Sequence, residues 1–462
     1  MPITSAADSD LTRHPTLREQ AGALARGDTT SERLVAAALE RIAAHQTAGG
    51  HAYVGQVNAD AALQAARASD QSRAAGRVPS LLAGLPVSIK DLFDVRGQTT
   101  QAGSIGPVSD AQPAAADAPT VARLRAAGAV LLGRTNMSEF AFSGLGLNPH
   151  HGTPANPHDT TRITGGSSSG AAVTVALGLA DAALGTDTGG SIRIPSAFCG
   201  LTGFKPTAHR LPLAGAYPLS RSLDSAGPLA RSVDCCAIVD AVLSGQALDT
   251  ATPPLAGLRL AVTQDVVLDG LDAAVAAAFD RALALLSAAG AQIVRFGFAE
   301  LRDLPRLNAA GGLVTAEAWH VHRTRLEDPA LAAQYDPRVA QRTQRGAAIS
   351  AADYIDLLDA RARLQATAKD RLHGVDAWLM PTVPLLAPRL ADVAESDERF
   401  FATNALVLRN PSVINFLDGC ALSLPCGEAG ALPVGLSIAG LHGADARVLQ
   451  VGRAVEACLR AG

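Results

Sequence analysis

Lysine is scarce in this chain. Of its 39 basic residues only Lys90, Lys205 and Lys369 are lysine. The distinction is chemical: burial can leave an amine neutral and able to accept a proton, whereas a guanidinium stays charged. Lys90 closes the apolar stretch Gly84-Leu85-Pro86-Val87-Ser88-Ile89, where an ammonium is poorly solvated and a base can be made. A lysine at a strand end can equally reach back to water along its stem, or pair with the adjacent Asp91. Lys205, in Gly203-Phe204-Lys205-Pro206-Thr207, reads as structural, and Lys369, among charged helical neighbours, as a solvated residue.

Downstream, residues 164–207 carry two glycine and serine clusters, 165–170 and 189–191, joined by a helix-like stretch (171–179) and a strand-like one (181–184). Glycine beside a hydroxyl nucleophile has a physical use, because a backbone without Cβ can turn its N–H groups onto an incoming carbonyl oxygen. Thr188-Gly189-Gly190-Ser191 can therefore supply both a nucleophile and oxyanion donors. A phosphate loop fails on detail, since Ala171 and Ala172 stand where G-x-x-x-x-G-K-[ST] needs a lysine and a hydroxyl. Gly166-Ser167-Ser168-Ser169-Gly170 also matches the G-x-S-x-G nucleophile elbow, but residues 156–164 before it are polar rather than strand-like. His209, His320, His322, His373 and His442 follow, so chain order alone leaves a Ser/His esterase of the α/β-hydrolase type open.

The elements that must position these residues alternate in kind. Residues 17–46 read as helices, with a capping box over Thr29 to Glu32, and a further helix covers 59–72. Short apolar runs at 86–89, 129–132 and 182–184, with a helical pattern at 120–127, favour an α/β sheet covered by helices. A strand (258–262) and a long helix (271–289) come next, then a helical segment (311–370), strands at 377–380 and 434–438, and a terminal helix (445–459). Residues 384–411 read as a loop.

Composition narrows the partners. With 462 residues, 48% hydrophobic and 18% charged, the chain can bury a large core. A net charge of −4 supplies no cationic field for nucleic acid or anionic lipid. The six cysteines show no zinc or C-x-x-C spacing and read as reduced thiols. The N-terminal stretch has no secretory pattern, and no apolar run is long enough to span a bilayer, so a soluble cytoplasmic protein is expected, a monomer or homodimer.

The serine-rich block with Lys90-Asp91 upstream closely resembles the signature of the amidase signature family. So do Gly84 to Gly103, Gly133-Arg134-Thr135-Asn136-Met137-Ser138-Glu139-Phe140, Asn156-Pro157, Ser222-Leu223-Asp224 with Gly227-Pro228, and Leu432-Pro433-Val434-Gly435-Leu436. The resemblance implies one α/β/α domain around a large mixed, twisted sheet, with residues 1–75 a helical segment packed on an amidase signature core of 76–462. It implies a serine hydrolase that needs neither metal nor cofactor. By the family's pattern Ser191 is the nucleophile, Ser167, preceded by a cis peptide bond, is the bridging serine, and Lys90 is the base. Thr188, Gly189 and Gly190 would hold the oxyanion, with Ser168, Asp187 and Arg193 in support. Small neutral amides are the expected substrates, with aryl amides, esters and carbamates (urethanes) beside them. Their expected pocket is largely apolar, shaped by residues 136–158, the helices of 311–370 and the 384–411 segment. The family also includes the glutaminase subunit of an aminoacyl-tRNA amidotransferase. Residues 208–218 depart from the pattern expected of that subunit.

Overall fold

Apolar runs without polar alternation become strands buried on both faces, as parallel strands covered by helices must be. The computed structural model describes residues 14–105 and 112–461. Within them eleven strands form one sheet: β1 Tyr53–Val54, β2 Pro86–Lys90, β3 Val130–Thr135, β4 Ala182–Asp187, β5 Thr202–Lys205, β6 Ser225–Ala230, β7 Arg259–Thr263, β8 Gln292–Phe296, β9 Ala377–Pro381, β10 Cys420–Pro425 and β11 Gly435–Gly440. The order across the sheet is β1-β3-β2-β4-β6-β5-β10-β11-β9-β7-β8. β2 runs parallel to β3 and β4, and β7 parallel to β8 and β9. The strands from β4 through β6, β5, β10 and β11 to β9 pair antiparallel, so the sheet is mixed.

Helices cover it. Ser169–Ala176, buried at every residue, lies on β4 and β2, Val233–Ser244 on β6 and β5, and Asp445–Ala461 on β10 and β11. Of the first two helices, Leu17–Arg26 and Ser31–Thr47, the first reaches this body through Arg18, which pairs with Asp234 at 2.8 Å. Asp70 accepts from the N–H groups of Ser31 and Glu32 at 2.8 and 3.0 Å, and Ser31 Oγ donates to the Gly84 carbonyl at 2.7 Å. Of the expected N-terminal segment, residues 1–13 lie outside the described residues, as does most of the stretch read for a secretory pattern.

Two sequence expectations are corrected. The capping box belongs to Thr16 and Glu19, whereas the helix starting at Ser31 is capped by the Thr30 side chain together with Asp70, and Glu32 instead pairs with Arg67 at 2.7 Å. Residues 384–411 are not a loop: they enter a short helix, Leu390–Ala394, and a long one, Asp397–Phe416. Pro411 reads as a helix breaker, yet it sits inside the long helix. The side chain of Asn410 beside it donates to the carbonyls of Val267 and Pro381, at 2.9 Å each.

Among the described residues no helix is long and apolar enough to cross a membrane. All six cysteines are unbridged, five of them buried. Leu422, in the interior strand β10, is wholly buried. Leu422→Ala should cost about 2–5 kcal/mol of stability, as large-to-small core changes do, with chemical unfolding as the check.

Candidate active site

Lys90 ends β2 at the centre of the parallel part of the sheet, and its side chain is fully buried. Neither alternative open to it in the sequence holds. It does not reach water, and Asp91 pairs instead with Arg134 at 2.5 Å. The amine donates to Ser167 Oγ at 2.7 Å and to Thr186 Oγ1 on β4 at 2.8 Å. Burial lowers its pKa to about 7, against the opposing pull of Asp187 and Asp224. An amine held between two hydroxyls, with no carboxylate in contact, is the arrangement that leaves a lysine neutral near pH 7.

Ser167 lies in an irregular stretch just before helix Ser169–Ala176, and the Gly166–Ser167 peptide bond is cis. No strand precedes it, so the nucleophile-elbow context is absent. Gly166 packs so closely that a Cβ would stand 2.6 Å from the Gly146 nitrogen. Ser168 N–H donates to the Ser191 carbonyl at 3.2 Å, which brings the two serine clusters together, and Ser168 Oγ donates to the Thr186 carbonyl at 3.3 Å. The Ser191 hydroxyl, in a side chain only 3% exposed, makes no hydrogen bond to another described residue. None of His209, His320, His322, His373 and His442 bonds to a serine of these clusters, and His322 instead meets Tyr335 at 2.9 Å.

The loop carrying Ser191 is braced by a buried ion pair. Arg193 grips Asp187 through Nε and Nη2, each at 3.0 Å, and also reaches the Pro411 carbonyl (3.1 Å) and Asn415 Oδ1 (2.6 Å). Asp187 accepts in addition from the N–H groups of Gly190 (2.8 Å) and Ile192 (3.2 Å). Burial alone would raise this carboxyl, but Arg193, Lys205 and Asn415 together hold it well below the usual carboxylate range. Gly190 has φ +131, and a Cβ there would meet Ile194 and Pro411 within 2.7 Å, so glycine is needed. With the Gly190 N–H committed to Asp187, the N–H groups of Thr188, Gly189 and Ser191 donate to no other described group.

Three further residues were not assigned a part from sequence. Thr186 holds Lys90. Asp224 accepts from Thr188 Oγ1 at 2.5 Å and from the N–H groups of Leu219 and Ser220, at 3.0 and 3.1 Å. Burial raises the Asp224 carboxyl to about 6 despite these donors. Asn415, on the part of the long helix beyond the 384–411 segment, completes the bracing of Asp187 with a 2.9 Å bond to Oδ1. Lys205 donates to the carbonyls of Pro206 and Gly419, both at 2.7 Å, in keeping with a structural part.

A 370 Å³ cavity opens beside Thr186 and Thr188, with Leu92, Ala141, Tyr217 and Arg221 also in its wall. Two larger cavities, of 570 and 820 Å³, touch neither threonine and lie away from this chemistry. The wall is largely apolar, as expected, with Thr186, Thr188, His209, Arg221 and Asp224 as its polar members. Of the segments expected to shape it, only 136–158 contributes, through Ala141, and most of the wall comes from 209–224. Phe140 stands behind, its ring 5.6 Å from that of Tyr217. No group of three or more metal-ligating side chains occurs among the described residues.

The family model "Amidase" matches residues 33–449. The chain belongs to the amidase family. It is 38% identical to a 2-amino-5-chloromuconic acid deaminase of Comamonas testosteroni, over 87% of each chain. It is 33% identical to the A subunit of the glutamyl-tRNA(Gln) amidotransferase of Cupriavidus necator, over 95% of each. A crystal structure of an amidase superposes with a TM-score of 0.86 at 36% identity, covering 96% of this chain and 99% of that one.

Asp187→Asn keeps the shape but leaves the Arg193 charge buried without its counter-charge. A loss of about 3–5 kcal/mol is expected, measurable as a fall in the denaturant midpoint.

Proposed function

We propose that the protein hydrolyses the C–N bond of small amides, and the corresponding bond of esters and carbamates, through an acyl-enzyme on Ser191. The observation that carries this reading is the buried amine of Lys90 at 2.7 Å from Ser167 Oγ. In its neutral form Lys90 takes the Ser167 proton while Ser167 takes the proton of Ser191, and Ser191 Oγ attacks the carbonyl carbon. The negative charge that develops on the carbonyl oxygen falls to N–H groups of Thr188, Gly189 and Ser191. Each such donor is worth about 2.7–4 kcal/mol in other hydrolases. In this reading Gly190 shapes the loop through Asp187 rather than donating to the oxyanion. The proton held by Lys90 returns through Ser167 to the departing nitrogen. Water then attacks the acyl carbon, gives its proton to the same relay, and releases the carboxylic acid and free Ser191.

In supporting parts, Asp187 and Arg193 hold the loop, and Ser168 joins the two serine clusters. The six unbridged thiols favour a reducing, cytoplasmic setting. The contacts of residues 17–75 with the sheet body favour a single folding unit with the core from 76 onward. A second reading, the glutaminase subunit of an amidotransferase, is favoured by the 95% coverage of the relative of that name. It predicts that the isolated chain fails on simple amides and gains activity only with partner subunits.

Ser191→Ala should abolish amide hydrolysis and labelling by a fluorophosphonate, whereas labelling that survives at another serine would refute the assignment. The Lys90 amine is protonated below about 7 and neutral above. The wild-type kcat/KM should therefore rise about tenfold per pH unit up to that point and then level off. Lys90→Ala should reduce kcat by about 10²–10⁴-fold and remove that inflection. A Ser/His mechanism predicts instead that Ser168→Ala abolishes activity while Lys90→Ala leaves most of it.

A further inference from the structure

The wall of the 370 Å³ cavity contains one arginine, Arg221. Its backbone is fixed on both sides. Ser220 and Leu219 give their N–H groups to Asp224, at 3.1 and 3.0 Å. Ser220 Oγ and Ser222 N–H donate to Glu317, at 2.5 and 3.0 Å, and Glu317 is itself held by Tyr354 Oη at 2.7 Å. The Asp224 N–H closes the turn on the Ser220 carbonyl at 2.9 Å. Two buried carboxylates thus clamp the residues flanking Arg221, and the same Asp224 binds Thr188 on the donor loop. The position of residue 221 relative to that loop is therefore set by a continuous chain of hydrogen bonds.

The side chain of Arg221 is treated differently. It is exposed, and it makes neither an ion pair nor a hydrogen bond with any described residue. The nearby carboxylates are satisfied elsewhere, Asp224 by three donors and Glu317 by three. A guanidinium in the wall of a small, mostly apolar cavity, with no internal counter-charge, offers a fork to an anion, and its planar donors match a carboxylate. His209, in the same wall with φ +63, adds an imidazole at the rim. At 370 Å³ the cavity lies at the small end of the range of ligand pockets.

We propose that Arg221 is a specificity-determining residue that binds a carboxylate on the substrate, so that the preferred substrates are short amides carrying a carboxylate at the end remote from the scissile bond. The inference rests on the amide-hydrolase reading, because the reacting carbonyl is placed at the Thr188–Ser191 loop while the carboxylate meets Arg221. Arg221 takes no part in the proton relay, and its contribution is to anchor and orient.

The test uses the full chain with succinamate, glutaramate and adipamate, each against the neutral amide of equal length. The wild type should favour at least one carboxylated member over its neutral counterpart by tenfold or more in kcat/KM. Arg221→Gln should collapse that ratio at least tenfold, through KM rather than kcat, and Arg221→Lys should restore part of it. An equal loss on both members of a pair, or an unchanged ratio, overturns the proposal. Calorimetry on Ser191→Ala with the same carboxylated amides separates the two readings. Binding that depends on Arg221 without turnover by the wild type would uphold the carboxylate site and refute the hydrolase reading. Turnover of neutral amides with no Arg221-dependent binding would do the reverse.

Discussion

The central physical constraint is an amine taken out of water without being given an anion. Lys90 is wholly buried, and its two contacts are hydroxyls, Ser167 and Thr186. Burial of an ammonium costs several kcal/mol unless a counter-charge offsets it, and the nearest candidate in sequence, Asp91, is engaged by Arg134. The carboxylates that do favour the charged form, Asp187 and Asp224, act from a distance and leave the pKa near 7. Moving either carboxylate into contact with Lys90 would restore its charge.

The surrounding architecture keeps those carboxylates where they are. Asp187 ends β4 and is locked by Arg193 and Asn415, while Asp224 lies just before β6 and is locked by Thr188 and the 219–220 backbone. β2, β4 and β6 are neighbours in the sheet. Lys90, Thr186 and Asp187 therefore share one layer of the sheet, with Asp224 at the entry to its next strand. The same locks set the donor loop from Thr188 to Ser191, so loop shape and amine basicity depend on one set of bonds.

Much of this was legible in the chain. Lys90 stood out because arginine is the habitual cation, and the glycines around Ser167 and Ser191 signalled a backbone that must pack or turn where Cβ cannot fit. The sheet core followed from uninterrupted apolar runs. Thr186, Asp224 and Asn415 were harder to find, since their parts are defined by what they touch across the fold; Thr186 and Asp224 lay in stretches that carry the resemblance, and those stretches gave them no part. The helix holding Asn415 was hidden by Pro411, whose missing N–H argues against a helix until the Asn410 and Asn415 contacts are seen. The part of residues 209–224 in the cavity wall escaped as well, because they carry no periodic pattern and gain their orientation from Glu317, almost a hundred residues on.

Having only three lysines makes the central claim directly measurable. In protein labelled with 15N at lysine Nζ, the resonance that disappears in Lys90→Met should titrate at about 7. A midpoint for that resonance near the ordinary lysine value of about 10.4 would contradict the account, because the amine would then be charged throughout the working range and unable to accept the serine proton.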